Sequence, residues 1–257
     1  MLKNNKGIKV NVIRVKGDQK KKISDLIARE TDLIIFVNNA KLANLNCTPG
    51  EYRYLGIGFL YSLGILKKKE DIVSIKIVGK SIKVTIRNLP LPIKEIFNSH
   101  SSIEIQKQFS DKIGSLSVID SNCKISQNTI YSLVSNMQDK AVFFKLSGGV
   151  HSCALAGTDG SILLFSEDIS RYNTIDRILG EALLKDISTD DKMMLTSCRI
   201  TSGIITKMIA GSVPIIISRS APTDCAVDLA HKNGMTLIGF ARGKRMNIYT
   251  HPERVDL

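Results

Sequence analysis

Residues 193–241 read MMLTSCRITSGIITKMIAGSVPIIISRSAPTDCAVDLAHKNGMTLIGFA, and this stretch decides the fold class. Apolar runs at 193–197, 213–217 and 235–241 have the length and character of strands, and 202–210 and 223–232 between them read as helices. Just upstream, a strand, a turn at Asp159-Gly160 and a second strand precede a helix from about Tyr172 to Leu184. Strands alternating with helices in this way predict an α/β protein with a mostly parallel or mixed sheet covered by helices. Ile130, Leu133, Val134 and Met137 fall on one helical face, so another helix follows the irregular, Ser/Asp/Asn-containing stretch from Gly114 to Lys124.

Toward the amino end the pattern turns to β. Residues 8–15 and 32–38 read as strands separated by a solvated turn at Lys20 to Lys22, and 72–78 with 82–87 form a hairpin turned at Gly79-Lys80. Thr48-Pro49-Gly50-Glu51 is a helix start, with Thr48 as N-cap, Pro49 in the first turn and Glu51 completing a capping box. That helix runs to about Leu63 and stops at Gly64, with Tyr52, Leu55, Phe59, Leu60 and Leu63 facing the core. Pro90 and Pro92 interrupt regular structure, and a seam in 88–112 divides a β-rich subdomain with one helix, residues 1–110, from an α/β core over 111–257.

Composition narrows the function classes. At 257 residues, with 43% hydrophobic and 23% charged residues, the chain can bury a core of its own, which excludes disordered and fibrous classes. The longest apolar runs, Leu33 to Val37 and Pro214 to Ile217, fall well short of a membrane span, and the Lys/Asn-rich start is followed by no apolar signal region. A cytoplasmic location with reduced thiols is the expectation for the five scattered cysteines. The net charge of +12 points to an anionic partner. Nucleic acid is the weaker choice, because aromatics are 5% of the chain, there is no tryptophan, and no aromatic residues interleave with the basic ones.

Four places can carry chemistry. Cys123, beside Lys124 and close to a helix amino end, sits where positive potential favours the thiolate, although a polar loop can hold an inert cysteine too. Cys47, Cys153, Cys198 and Cys225 fall in or beside regular elements and read as structural. Gly148-Gly149-Val150-His151 sets a histidine at a strand start, where it can face a cleft or be a satisfied core residue. Phe240-Ala241-Arg242-Gly243-Lys244-Arg245 places three cations around a glycine beyond the carboxyl end of a strand, where α/β proteins form ligand crevices. An ordinary solvated turn is the alternative there. Arg219 to Thr223 offers a second oxyanion cradle. A zinc deaminase needs His-x-Glu and Pro-Cys-x-x-Cys, whereas this chain has His151-Ser152-Cys153 and no such cysteine pair, so no metal site is expected.

Taken together, Thr48-Pro49-Gly50, Gly58 to Ser62, Gly148 to His151, Glu167-Asp168, Arg171, Asn173, Asp176, Ser218 to Pro222, Gly239-Phe240 and Tyr249 to Arg254 resemble the formate dehydrogenase accessory sulfurtransferases, the FdhD/NarQ family. The resemblance implies a cytoplasmic sulfur carrier with a cytidine-deaminase-like core lacking zinc, functioning as a homodimer. Such a carrier takes persulfide sulfur from a pyridoxal-phosphate cysteine desulfurase and passes it to the bis-guanine-dinucleotide molybdenum cofactor of formate dehydrogenase. It assigns the sulfur to Cys123 and the cofactor to Phe240–Arg245, with His151 and Arg171 in supporting roles. Where the family loop holds Cys-x-x-Cys, this chain has Cys123-Lys124-Ile125-Ser126; Leu63 and Gly203 stand where the family commonly has Glu, and Tyr172 where it has His. Those departures leave open a cofactor-binding chaperone that has lost sulfur transfer.

Overall fold

A computed structural model describes residues 6–87 and 118–257. The whole of the predicted seam at 88–112, and residues 114–117 of the 114–124 stretch, lie outside these residues. β1 (Gly7–Lys16) and β2 (Gln19–Ala28) form an antiparallel ribbon turned at Gly17-Asp18. The run Lys20 to Lys22 is therefore strand rather than turn: Lys20 pairs with Val15, Lys21 with Arg14 and Lys22 with Ile13. Gly17, at φ +57°, makes the reversal instead.

β3 (Thr31–Val37), β4 (Ala40–Cys47), β5 (Ile72–Val78) and β6 (Ser81–Ile86) form a second sheet in the order β4-β3-β6-β5. The 72–78 hairpin turns at Gly79-Lys80 as its sequence predicts. Helix α1 (Tyr52–Ser62) packs on this sheet, burying Leu55, Phe59, Leu60 and Leu63 while Tyr52 is half-buried. Its start differs from the capping-box expectation. Glu51 occupies the cap position at φ +53° and makes no side-chain cap, because Thr48 is engaged elsewhere. Thr48 Oγ1 accepts from Ile169 N at 3.0 Å, and Thr48 N donates to Asp168 Oδ2 at 3.1 Å.

The larger unit is a six-stranded mixed sheet ordered β13-β12-β11-β10-β8-β9, built from β8 (His151–Ala156), β9 (Ile162–Asp168), β10 (Met193–Thr196), β11 (Ile215–Ser218), β12 (Thr236–Arg242) and β13 (Arg245–Thr250). β10, β11 and β12 run parallel; β8, β9 and β13 pair antiparallel with their neighbours. Alternation along the strands divides the core. Met194, Ile216 and Leu237 point to a cluster with α4 (Arg171–Leu184), α5 (Ser202–Ala210) and α6 (Asp224–Lys232). Met193, Leu195, Ile217 and Ile238 point the opposite way, to α2 (Gln127–Lys140), whose Ile130, Leu133, Val134 and Met137 form the predicted buried face. A short helix α3 (Val142–Ser147) follows α2. Two residue pairs at the carboxyl end, β14 (Val255–Asp256) on β7 (Ile125–Ser126), complete the pairing.

The two sheets are joined through α1 and α4, whose backbones nearly touch. A Cβ on Gly58 would lie 1.7 Å from Asp176 O, and one on Gly180 would lie 2.1 Å from Tyr54 O. Beside this crossing lies a buried ion pair. Arg177 Nε and Nη2 donate to Asp168 Oδ2 at 2.9 and 2.7 Å, Nη2 also reaches Thr48 O at 2.7 Å, and Nη1 reaches Gly50 O at 2.5 Å. Asn173 Nδ2 spans Asp168 Oδ1 and Asn46 O. A second buried group ties α1, α4 and α5: Lys207 Nζ lies 2.7 Å from Asp176 Oδ1 and 2.8 Å from Ser62 Oγ. Replacing Asp168 by Ala strands a buried guanidinium, so denaturant unfolding should show a loss of about 3–5 kcal/mol. Gly58→Ala should lower stability through backbone clash, with the melting temperature as the readout.

Candidate functional site

At the carboxyl ends of β10, β11 and β12 the chain gathers the second and third candidate stretches. β12 and β13 form a hairpin, so Phe240–Arg242 ends one strand, Gly243-Lys244 turns and Arg245 opens the next. The sequence sets these cations beyond a strand end; in the fold Arg242 still belongs to β12 and Arg245 already to β13. The alternation of Met246, Ile248 and Thr250 with exposed Asn247 and Tyr249 was the available signal for β13. Between Gly239 and Arg242 the register slips by one residue, a bulge that re-aims the chain. Phe240 takes φ +52° there, a costly conformation for a bulky residue, and is held by its N–H to Ser220 O at 3.0 Å.

The bulge has a chemical result. The guanidinium carbons of Arg242 and Arg245 each lie 5.8 Å from the centre of the Phe240 ring, so one half-buried aromatic carries two exposed cations. Lys244 is exposed beside them, and Gly243 turns at φ +60° with nothing within 4 Å of where a Cβ would stand. Ala241 departs from the group: its methyl is fully buried in the cluster under α2, so only its backbone belongs to the turn.

His151 and Arg171 also sit at this end. His151 opens β8 opposite Asp168, and burial followed by the Arg171 charge pushes its imidazole below the ordinary value, against the pull of Asp168. Arg171 lies with its guanidinium carbon 4.7 Å from the centre of the Tyr172 ring, and its Nε is buried without a hydrogen-bond partner among the described residues. Thr201, at the N-cap position of α5 but making no side-chain cap, meets the Tyr172 hydroxyl at 3.2 Å. Cys198, just past β10, is buried at this same end with Thr196 Oγ1 at 3.0 Å from its sulfur. In the Arg219 to Thr223 stretch, Thr223 caps α6, its hydroxyl accepting from Ala226 N.

Cys123 lies at the other end of the sheet. Its Sγ donates to Asp191 O at 3.5 Å and its neighbour Ser121 donates to Asp190 O at 2.8 Å, both just before β10 begins. Ile119 N reaches Asn233 O, just before β12 begins. Because β10 and β12 run in the same direction, this segment rests on their amino ends, whereas Phe240–Arg245 lies at the carboxyl end of β12. The thiol and the cations to which the resemblance assigns sulfur and cofactor therefore sit at opposite ends of the sheet rather than side by side.

The expected ionisation is corrected too. Cys123 is 7% exposed in an apolar cluster with Ile125, Ile130 and Val255. Burial first, and then Asp191, pushes its thiol up, opposed by Arg254 and Lys192. Ser126 caps α2, its Oγ accepting from Thr129 N at 3.1 Å, so the helix end does lie close by, but desolvation outweighs it. Among the other thiols, Cys47, Cys153 and Cys198 are buried as expected, whereas Cys225, read as structural, is exposed on the first turn of α6.

Several motif residues prove to be framework. Thr48, Gly50, Asp168, Asn173 and Asp176 build the buried polar seam, and Glu167 accepts from Phe143 N and Phe144 N at the start of α3. Leu63 is buried in the first core. Among the described residues no group of three or more His, Cys, Asp or Glu is placed to hold a metal ion, and no helix is long and apolar enough to cross a membrane.

Fold and site together define an α/β protein with a sequestered loop thiol at one end of its main sheet and an aromatic flanked by cations at the other. Residues 28–256 match the model of the FdhD/NarQ family, and the chain belongs to that family. It is 35% identical to a protein named sulfur carrier protein FdhD from Saccharolobus solfataricus, over 95% of this chain and 96% of that one. The Bacillus subtilis protein of the same name is 32% identical over 95% of this chain and 96% of its own. The fold is shared with a formate dehydrogenase accessory protein from Desulfotalea psychrophila, with a TM-score of 0.81 at 24% identity, covering 97% and 99% of the two chains.

Thiol reactivity checks this geometry. With iodoacetamide and peptide mass spectrometry, Cys225 should be modified first. Cys123 should lag near neutral pH and speed up as the pH climbs through its raised pKa, because only the thiolate reacts. Cys47, whose thiol burial pushes up to about 12, should react only on unfolding.

Proposed function

We propose that this protein is a sulfur carrier serving formate dehydrogenase, with Cys123 as the carrying thiol and the Phe240–Arg245 hairpin as the acceptor's station. The observation that carries the reading is a loop thiol and a cation-flanked aromatic set at the two ends of one sheet, in a family whose relatives are named sulfur carriers. In the loading step, the Cys123 thiolate attacks the terminal sulfur of a cysteine desulfurase persulfide. The donor's sulfur–sulfur bond breaks, its cysteine leaves as thiolate, and Cys123 holds the sulfur as Cys123–S–SH. No electrons are gained or lost overall. One thiol suffices, which fits the helix-capping Ser126 at the position where a second cysteine would stand.

The acceptor in this proposal is the bis-guanine-dinucleotide molybdenum cofactor, bound as substrate. Arg242 and Arg245 offer guanidinium forks to its phosphate oxygens and Lys244 a point charge. Arg171 and neutral His151 line the same end of the sheet. We read the strand order β9-β8-β10-β11-β12, with β8 reversed against β10, as a cytidine-deaminase-like core without the metal.

The burial of Cys123 favours a second reading, a chaperone that binds the cofactor and carries no sulfur. Intact mass spectrometry after incubation with cysteine and a cysteine desulfurase separates the two. One added sulfur atom on wild type, absent from Cys123→Ser, is the result expected of a carrier. Wild type that binds GDP without ever gaining sulfur is the result expected of a chaperone. In either case Arg242→Ala combined with Arg245→Ala should weaken GDP binding roughly tenfold or more, as expected when charge-assisted hydrogen bonds are lost.

A further inference from the structure

After β13 the chain turns at His251, with φ +47°, passes through a short 3-10 turn at Pro252–Arg254 and pairs as β14 with β7. Val255 stands opposite Ile125 and Asp256 opposite Ser126. Arg254, 9% exposed, directs its Nε to Ser121 O at 3.0 Å and its Nη1 to Thr236 Oγ1 at 3.2 Å. One short segment thus grips the chain on both sides of Cys123: Arg254 holds Ser121 two residues before it, and β14 holds Ile125 two residues after it. Ser121 Oγ in turn accepts from Cys123 N at 3.2 Å, so the Arg254 bond bears directly on the residue that sets the cysteine backbone. Val255 packs into the same apolar cluster as the thiol. The charged groups that act on the sulfur are Asp191 and Lys192 from the chain ahead of β10 and Arg254 from this segment.

We propose that Arg254 is a positioning residue for Cys123: with the 251–256 segment in place it holds the thiol sequestered beside a cation, and the thiol becomes accessible when the segment lifts. The inference rests on Cys123 being the carrier. Its physical basis is the fork of Arg254, which joins the Ser121 carbonyl to the first residue of β12 and so ties a loop lacking regular structure to the sheet. A lysine there keeps the charge and loses the fork; a glutamine loses the charge.

The test is the rate of iodoacetamide modification of Cys123 against pH in full-length wild type, Arg254→Lys and Arg254→Gln, with Cys225 as the exposed reference and Cys47 and Cys153 as buried ones. Both variants should raise the high-pH plateau for Cys123 about tenfold, the scale of one lost charge-assisted hydrogen bond. The midpoint should stay near wild type with Lys and move up with Gln, because only Gln removes the nearby cation. A Gln variant matching wild type in plateau or midpoint overturns the proposal. So does acceleration of Cys47 and Cys153 in step with Cys123, which would mean general loosening. Sulfur loading is measured separately: wild type that gains no sulfur from the desulfurase defeats the carrier reading and leaves the modification rates standing.

Discussion

The buried pair of Arg177 and Asp168 is the constraint on which the remaining architecture depends. Asp168 ends β9 and Arg177 lies along α4, yet the guanidinium also donates to the carbonyls of Thr48 and Gly50, which belong to the other sheet's connection into α1. A charge removed from water is tolerable only when it is fully paired. The pair therefore fixes where the amino-terminal sheet sits on the larger one. The small side chain of the glycines at 58 and 180 lets the helix backbones come close enough for that pairing to close.

From this frame follows the polarity of the molecule. β10, β11 and β12 share a direction, so everything just after them collects at one end and everything just before them at the other. The first group includes Cys198, Arg219 and the bulged Phe240 with its arginines. The second includes the loops at 190–191 and 233 against which the Cys123 segment lies. The physical environments of the two ends differ accordingly. One presents exposed cations around an aromatic ring; the other holds a thiol in an apolar cluster under a clasp.

Residues whose sequence pattern looked functional divide along the same line. Glu167, Asp168, Asn173 and Asp176 are polar groups in the interior, and their hydrogen bonds are satisfied by backbone groups, by one another and by the side chains of Arg177, Lys207 and Ser62. A motif of charged residues reads the same in sequence whether it binds a ligand or cements a seam, since only the partners distinguish them. Thr48 shows this at the scale of one residue: its Thr-Pro-Gly-Glu context signals a helix cap, but Asp168 and Ile169 compete for its backbone and hydroxyl and win.

What the sequence determined by itself is what local periodicity and turn chemistry encode. The alternation of strands and helices after residue 140, the buried stripe of α2, the hairpin at Gly79-Lys80 and the end of α1 near Gly64 were all legible, because each depends on neighbours a few residues away. Tertiary structure alone decided that Lys20 to Lys22 form strand, that Phe240 is thrown out by a bulge, that Cys225 is exposed and that Cys123 is not. It also set the thiol and the cations at opposite ends of the sheet. Protonation and access at Cys123 follow from desolvation and from Asp191, Lys192 and Arg254, groups well over fifty positions away along the chain. Such long-range terms leave no periodic trace, which is why the folded molecule was needed to read them.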